Sequence, residues 1–246
     1  MKTLLLSGAV LASAAIATPA AAMNLIKNGS FEAAGTTGTG AFTGWTKTNV
    51  PSNAPASVIV YNSTEPYPVS AFTEAVTPDN LVSASPDAVG NHAAYFVGDF
   101  SVNESISQLT YLGVGNYRVG FSYYLTRNGL NNIGNSSFAA TIVGVPVAST
   151  AITGSSTART WLYASGVGQI TRAGYYNTAF VFNSNNDPSK DIVIDRVFAM
   201  ATTDPATVII PPTPSFVPEP ATWAMLVIGF GLVGVTARRR KGVVAA

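Results

Sequence analysis

Apolar and polar side chains alternate along most of this chain with a period of two rather than 3.6. In residues 117–125, Tyr117, Val119, Phe121, Tyr123 and Leu125 fall on one face and Arg118, Gly120 and Ser122 on the other. That pattern belongs to an antiparallel strand with one buried side. Residues 138–147, 161–167, 175–182 and 191–200 repeat it with β-branched and aromatic side chains, separated by clusters of Asn, Gly, Ser and Pro. No amphipathic helix of any length interrupts them. An all-β fold follows: two sheets packed as a sandwich, with the jelly roll chosen among sandwiches. Three stretches read as loops, namely the Gly- and Thr-rich 32–44, the proline-rich 64–90, and 127–137 with its Asn128-Gly129, Asn131-Asn132 and Gly134-Asn135 pairs.

The two ends break the alternation. Lys2 precedes an apolar run over 4–16, and small residues close it at Ala20-Ala21-Ala22. This is the layout of a secretory signal peptide spanning 1–22, with cleavage between Ala22 and Met23. At the other end no charge occurs from Ala221 to Ala237. As a helix this stretch spans about 25 Å, enough to cross a bilayer with slight thinning. Trp223 sits where an interfacial anchor belongs, and Arg238, Arg239, Arg240 and Lys241 predict a cytoplasmic C-terminus. Between them lie a β-sandwich body over 23–204 and a Pro-rich linker over 205–217.

The run Pro218-Glu219-Pro220, Trp223-Ala224, the apolar segment and the closing Arg238 to Arg240 together resemble the PEP-CTERM sorting signal of Gram-negative bacteria, over residues 218–241. The resemblance implies an exosortase as processing partner and cleavage near Pro218-Glu219-Pro220. It also implies transient anchoring in the inner membrane, then a place at the cell surface or in the extracellular, biofilm-forming matrix. The body carries a second resemblance. Residues 24–32 with Gly44-Trp45, then 115–121, then 192–197, are similar to the opening, middle and closing strands of galactose-binding-like jelly rolls used as carbohydrate-binding modules. In that fold an opening Glu and an Asp of the last strand meet near a structural calcium. The matching positions are Glu32 and Asp195, and Arg196 stands where relatives often carry a second acid. No other cofactor is expected.

Composition narrows the chemistry. Between Met23 and Val217 there are eight Lys or Arg against eleven Asp or Glu, so the body is about −3 and has no basic run for nucleic acid. Cysteine is absent, which removes disulfides, thiolate catalysis and cysteine metal sites. Sugar recognition needs an exposed aromatic with amide or carboxylate neighbours, because a sugar offers an apolar face ringed by hydroxyls. Trp45, Trp161, Tyr124 and Tyr175 are the aromatic candidates, and Asn128, Asn131 and Asn132 the loop amides. Tyr124, opposite in phase to Tyr123, is expected on the face away from the core. Catalysis finds little support: His92 is the single histidine, no Gly-x-Ser-x-Gly elbow accompanies it, and Asp191 and Asp195 would lie about 13 Å apart on a regular strand. The reading is a non-enzymatic exported protein that binds or joins exopolysaccharide. Two alternatives stand beside it, a secreted matrix hydrolase and a permanently membrane-anchored envelope protein.

Overall fold

Alternation becomes a sandwich because each strand has one apolar face to bury. The computed structural model describes residues 23–33, 37–48 and 54–212. In chain order the elements are β1 (Thr46–Lys47), β2 (Ser57–Val60), β3 (His92–Phe96), β4 (Glu104–Leu112), β5 (Gly115–Tyr124), α1 (Arg127–Leu130), β6 (Ser136–Ile142), β7 (Val145–Ile152), β8 (Trp161–Ile170), β9 (Gly174–Asn183), β10 (Ile192–Thr202) and β11 (Val208–Ile210). They form a five-stranded sheet, β1-β4-β9-β6-β7, and a six-stranded sheet, β11-β8-β5-β10-β3-β2. Pairing is antiparallel throughout except that β11 runs parallel to β8. This is the expected jelly-roll sandwich.

The inner faces of both sheets meet in one core. Phe121 packs edge-on against Phe138 at 5.0 Å and Phe138 against Phe96 at 5.3 Å, with Ile106, Ile142, Phe180, Phe182 and Ile194 closing around them. Buried aromatics of this kind each contribute about 3–5 kcal/mol against truncation to Ala. The opening residues of the described body and its last long strand close the same core. Leu25 N donates to Ala199 O at 2.8 Å, and the Asn24 amide donates to Val197 O at 3.0 Å.

The outer face of the six-stranded sheet is covered as well. The proline-rich stretch after β2 folds over it and builds a second apolar cluster from Tyr61, Ala71, Val76, Tyr95, Tyr124, Trp161 and Val193. Trp161 Nε1 donates to Thr77 O at 2.8 Å, which ties this lid to β8. In β10 the register shifts between Asp195 and Phe198, and Arg196 takes a left-handed φ of 45°. Such a bulge places two successive residues on one side of the strand. Arg196 therefore reaches outward with Asp195, and its Nε donates to Asp79 of the lid at 2.7 Å.

Three expectations are corrected by the fold. Residues 138–147 do not make one strand; they span a hairpin, because Val143 and Gly144 adopt φ of 51° and 76° and turn the chain back. Two positive-φ residues in a two-residue loop match the twist of the flanking strands. Residues 127–137 contain one helical turn, α1, whose Thr126 hydroxyl accepts from Gly129 N at 3.0 Å and whose first amides, Arg127 N and Asn128 N, are bound by Glu74 at 3.0 Å each. The ordered body also runs past residue 204. Val208–Ile210 joins the sheet, and Ile210 is fully buried opposite Ile170.

Candidate functional site

The aromatics expected from sequence sit in different places and mostly inside. Trp45 is 9% exposed; it stacks on Phe31 at 5.9 Å, meets Phe180 edge-on and donates its indole N–H to Asn28 O at 3.1 Å. It is a core anchor. Tyr124 does lie on the sheet face away from the main core, but the lid covers that face and leaves it 2% exposed beside Trp161. Neither ring offers a surface for a ligand to stack on. Asn128 and Asn131 are exposed on and after α1. Asn131 lines a loop cavity of about 470 Å³ with Ile133, Asp187 and Pro188, in which no aromatic takes part. The Lys190 ammonium holds this loop by donating to the carbonyls of Asn132 at 2.8 Å and Gly134 at 3.0 Å.

Glu32 and Asp195 do not form a common donor set. The Glu32 carboxylate accepts from Asn91 N and His92 N at 2.8 and 2.7 Å and pairs with His92 Nδ1 at 2.8 Å, so it clamps the start of β3. Asp195 is fully buried and accepts from the Tyr61 hydroxyl and from Arg196 N, each at 2.6 Å. Burial pushes its carboxyl well above the usual range, as it does the Tyr61 hydroxyl. A guanidinium stands next to it, bonded to Asp79. Calcium needs six to eight oxygens around an ionised carboxylate, and this arrangement supplies a fixed cation in their place. These residues do not fit the ion. Among the described residues no group of three or more His, Cys, Asp or Glu is placed to hold a metal.

Among the described residues, exposed rings and polar groups combine on β4 and β9, on an outer face of the five-stranded sheet that no described segment covers. Tyr111 and Tyr175 are directly paired across these strands, 56% and 65% exposed, with ring centroids 5.3 Å apart. Leu109, 74% exposed, extends the apolar strip along β4. A groove of about 530 Å³ runs beside them, lined also by Lys27, Thr46 and Ser107. Gln108 is fixed there by accepting from Lys27 N at 3.0 Å and donating to Lys27 O at 2.6 Å. A second trough of about 450 Å³ crosses β4, β9 and β6 over small and amide residues, including Ser105, Ser137, Ala179 and Asn183. Neither lining contains a carboxylate.

The sequence reading included Tyr175 among its aromatics but passed over Tyr111. One signal for both was present. In β4 the exposed positions are Leu109 and Tyr111, whereas Thr110 between them points inward and bonds Thr178 at 2.6 Å. Apolar residues outside and a hydroxyl inside invert the ordinary pattern, and an exposed aromatic pair is the kind of patch that marks a contact surface.

The two acids singled out at the last long strand, Asp191 and Asp195, are each held by their own partners. Asp191 lies just before β10 and accepts from Tyr95 and from Gly98 N at 2.7 Å; burial pushes its carboxyl up to about 6. It is buried, and Asp195 has its own partners.

These features define a jelly-roll sandwich with one lidded face and one bare face. Residues 216–241 match the PEP-CTERM protein-sorting motif, so the sorting signal read from the tail is present; the tail itself, with Pro218, Glu219, Pro220, Trp223, Arg238, Arg239 and Arg240, lies outside the described residues, as does the signal-peptide span ending at Ala22. No curated protein matches the chain. Solved structures similar in fold include a cyclase from Fischerella sp. TAU bound to 4-(1H-indol-3-yl)butan-2-one, at 14% identity and a TM-score of 0.49, covering 76% of this chain and 99% of that one. A CBM61 module in complex with β-1,4-galactotriose has 17% identity and a TM-score of 0.41, covering 73% and 99%. An arabinose-bound GH51 α-L-arabinofuranosidase has 15% identity and a TM-score of 0.44; the match covers 72% of this chain and only 26% of that enzyme.

Proposed function

We propose that this chain is an exported, non-catalytic carbohydrate-binding protein, delivered through its PEP-CTERM tail by an exosortase and engaging exopolysaccharide through the β4–β9 face. The observation that carries the reading is the exposed Tyr111–Tyr175 pair beside a groove with hydroxyl and ammonium donors. Ring faces supply apolar contact for a sugar, and Thr46, Ser107 and Lys27 supply polar partners at its edge. The trough over β9 and β6 continues the surface in the direction a polymer would need. Absence of a carboxylate in either lining favours binding over hydrolysis.

A glycan array probed with the chain processed at both ends tests this. Binding to one polysaccharide class is expected, and Tyr111→Ala with Tyr175→Ala is expected to weaken it at least tenfold while shifting stability by less than about 1 kcal/mol, since both rings are exposed. Binding that survives the double substitution would place the site elsewhere. Mass spectrometry of the mature C-terminus separates cleavage from permanent anchoring, because a retained tail keeps Trp223.

A further inference from the structure

The last strand fixes where the chain leaves the sandwich. Thr207 N donates to Val167 O at 2.9 Å, Val208–Ile210 pairs with Gly168 to Ile170, and Ile210 is fully buried. Upstream, Asp204 is held by Arg118 at 2.5 Å and its carbonyl by the Asn116 amide at 2.8 Å. The body thus grips the chain as far as Ile210, and the ten residues 211–220 separate it from the apolar stretch that starts at Ala221. Fully stretched, ten residues reach at most about 36 Å. The eleven residues of β10 alone extend about 36 Å at the usual strand rise. A tether no longer than the body keeps its exit pole the part nearest the membrane in which the tail is held.

The register identifies that pole. Leu112, Gly115, Ile170, Gly174 and Thr202 all end or begin strands there. Val114 projects from the β4–β5 turn, 70% exposed, and Arg172 is exposed in the β8–β9 turn. Tyr111 and Tyr175 flank them, and Lys27 lies along the groove. Asp204 at this pole is neutralised by Arg118. Asp99, Glu104, Asp187 and Asp191 lie at the other end, where β4 and β10 begin and β9 finishes. Tyrosines, an aliphatic tip and cations facing a leaflet of phospholipid headgroups form a favourable interfacial set.

We infer that the pole carrying Val114, Arg172, Tyr111 and Tyr175 is a membrane-facing surface whose partner is the anionic phospholipid leaflet holding the chain's own tail, and that the tyrosine groove is turned toward that leaflet until the tail is cut. This rests on the sorting reading above. The chain has no cysteine, so single-cysteine variants can be labelled cleanly. The full chain is reconstituted in phosphatidylethanolamine–phosphatidylglycerol vesicles carrying a headgroup quencher, with a fluorophore on Val114→Cys or on Ile133→Cys at the opposite pole. Quenching at position 114 at least threefold above that at 133 is expected, as is a fall in the 114 signal when phosphatidylglycerol is omitted. Equal quenching, or more at 133, in chains that float with the vesicles would overturn the inference alone. A 114 signal indifferent to the anionic lipid would overturn the choice of partner. Chains that fail to float would overturn the sorting reading and the inference with it.

Discussion

Arg196 does the most at the level of single residues. Its guanidinium contacts Asp79, whose side chain is fully buried, at 2.6 Å and also donates to Leu81 O at 2.7 Å. Removing one partner of a buried pair leaves an uncompensated charge, so Arg196→Met is expected to lower unfolding free energy by about 3–5 kcal/mol in denaturant titration. Combining it with Asp79→Asn should recover much of that loss, since the orphaned charge disappears with its partner. The buried acids make a second prediction. Burial raises the carboxyls of Asp191, Asp195, Glu104 and Asp87 in the folded state. A raised folded value means the group favours folding most when protonated, below its unfolded value, and loses that contribution as pH rises through the folded value. For Asp191 the window runs from about 4 to about 6. The denaturation midpoint is therefore expected to rise as pH falls from 7 to 5, and Asp191→Asn to flatten the curve. Asp204, lowered by Arg118, acts in the opposite sense but is exposed and contributes little.

Elements show where sequence was legible and where it was not. β5, β8, β9 and β10 were readable because each keeps one apolar face against the core, and their observed bounds differ from expectation by a few residues. β4 was not, because Thr110 and Gln108 take inward or edge positions while Leu109 and Tyr111 face solvent. The same inversion hid the better candidate site. Tyr124 was assigned to the correct face, yet its burial depends on the lid from residues far along the chain, which no local pattern reports. The hairpin inside 138–147 was missed because Val143 is a poor choice for positive φ, its branched side chain being crowded in that conformation. Val143→Asn creates the Asn-Gly turn that the geometry prefers. It is expected to raise the melting temperature by a few degrees, through roughly 0.5–1 kcal/mol, as measured by calorimetry.

At the scale of the whole molecule the sandwich is asymmetric in cover and in charge. The six-stranded sheet is sealed by its lid and the five-stranded sheet keeps its outer face, while Asp99, Glu104, Asp187 and Asp191 lie at the end opposite the one where the chain leaves β11. Because β10 lies between β5 and β3 and also binds the N-terminal segment, the six-stranded sheet and the clasp at residues 24–25 both depend on it. A chain truncated after residue 190 is expected to be degraded in limited proteolysis, whereas one ending at Pro212 should resist. Comparable resistance of both would contradict the central place given to that strand.

On the proposed export route, the clasp of Asn24 and Leu25 with Val197 and Ala199 sets an order of events. Asn24 and Leu25 find their partners only once the last long strand is available, so the sandwich closes late. By then the apolar stretch starting at Ala221 is the next segment due for translocation. On the proposed route, completion of the fold and arrival of the tail at the membrane thus fall almost together, and an exosortase would meet a passenger that has just become resistant to being pulled apart.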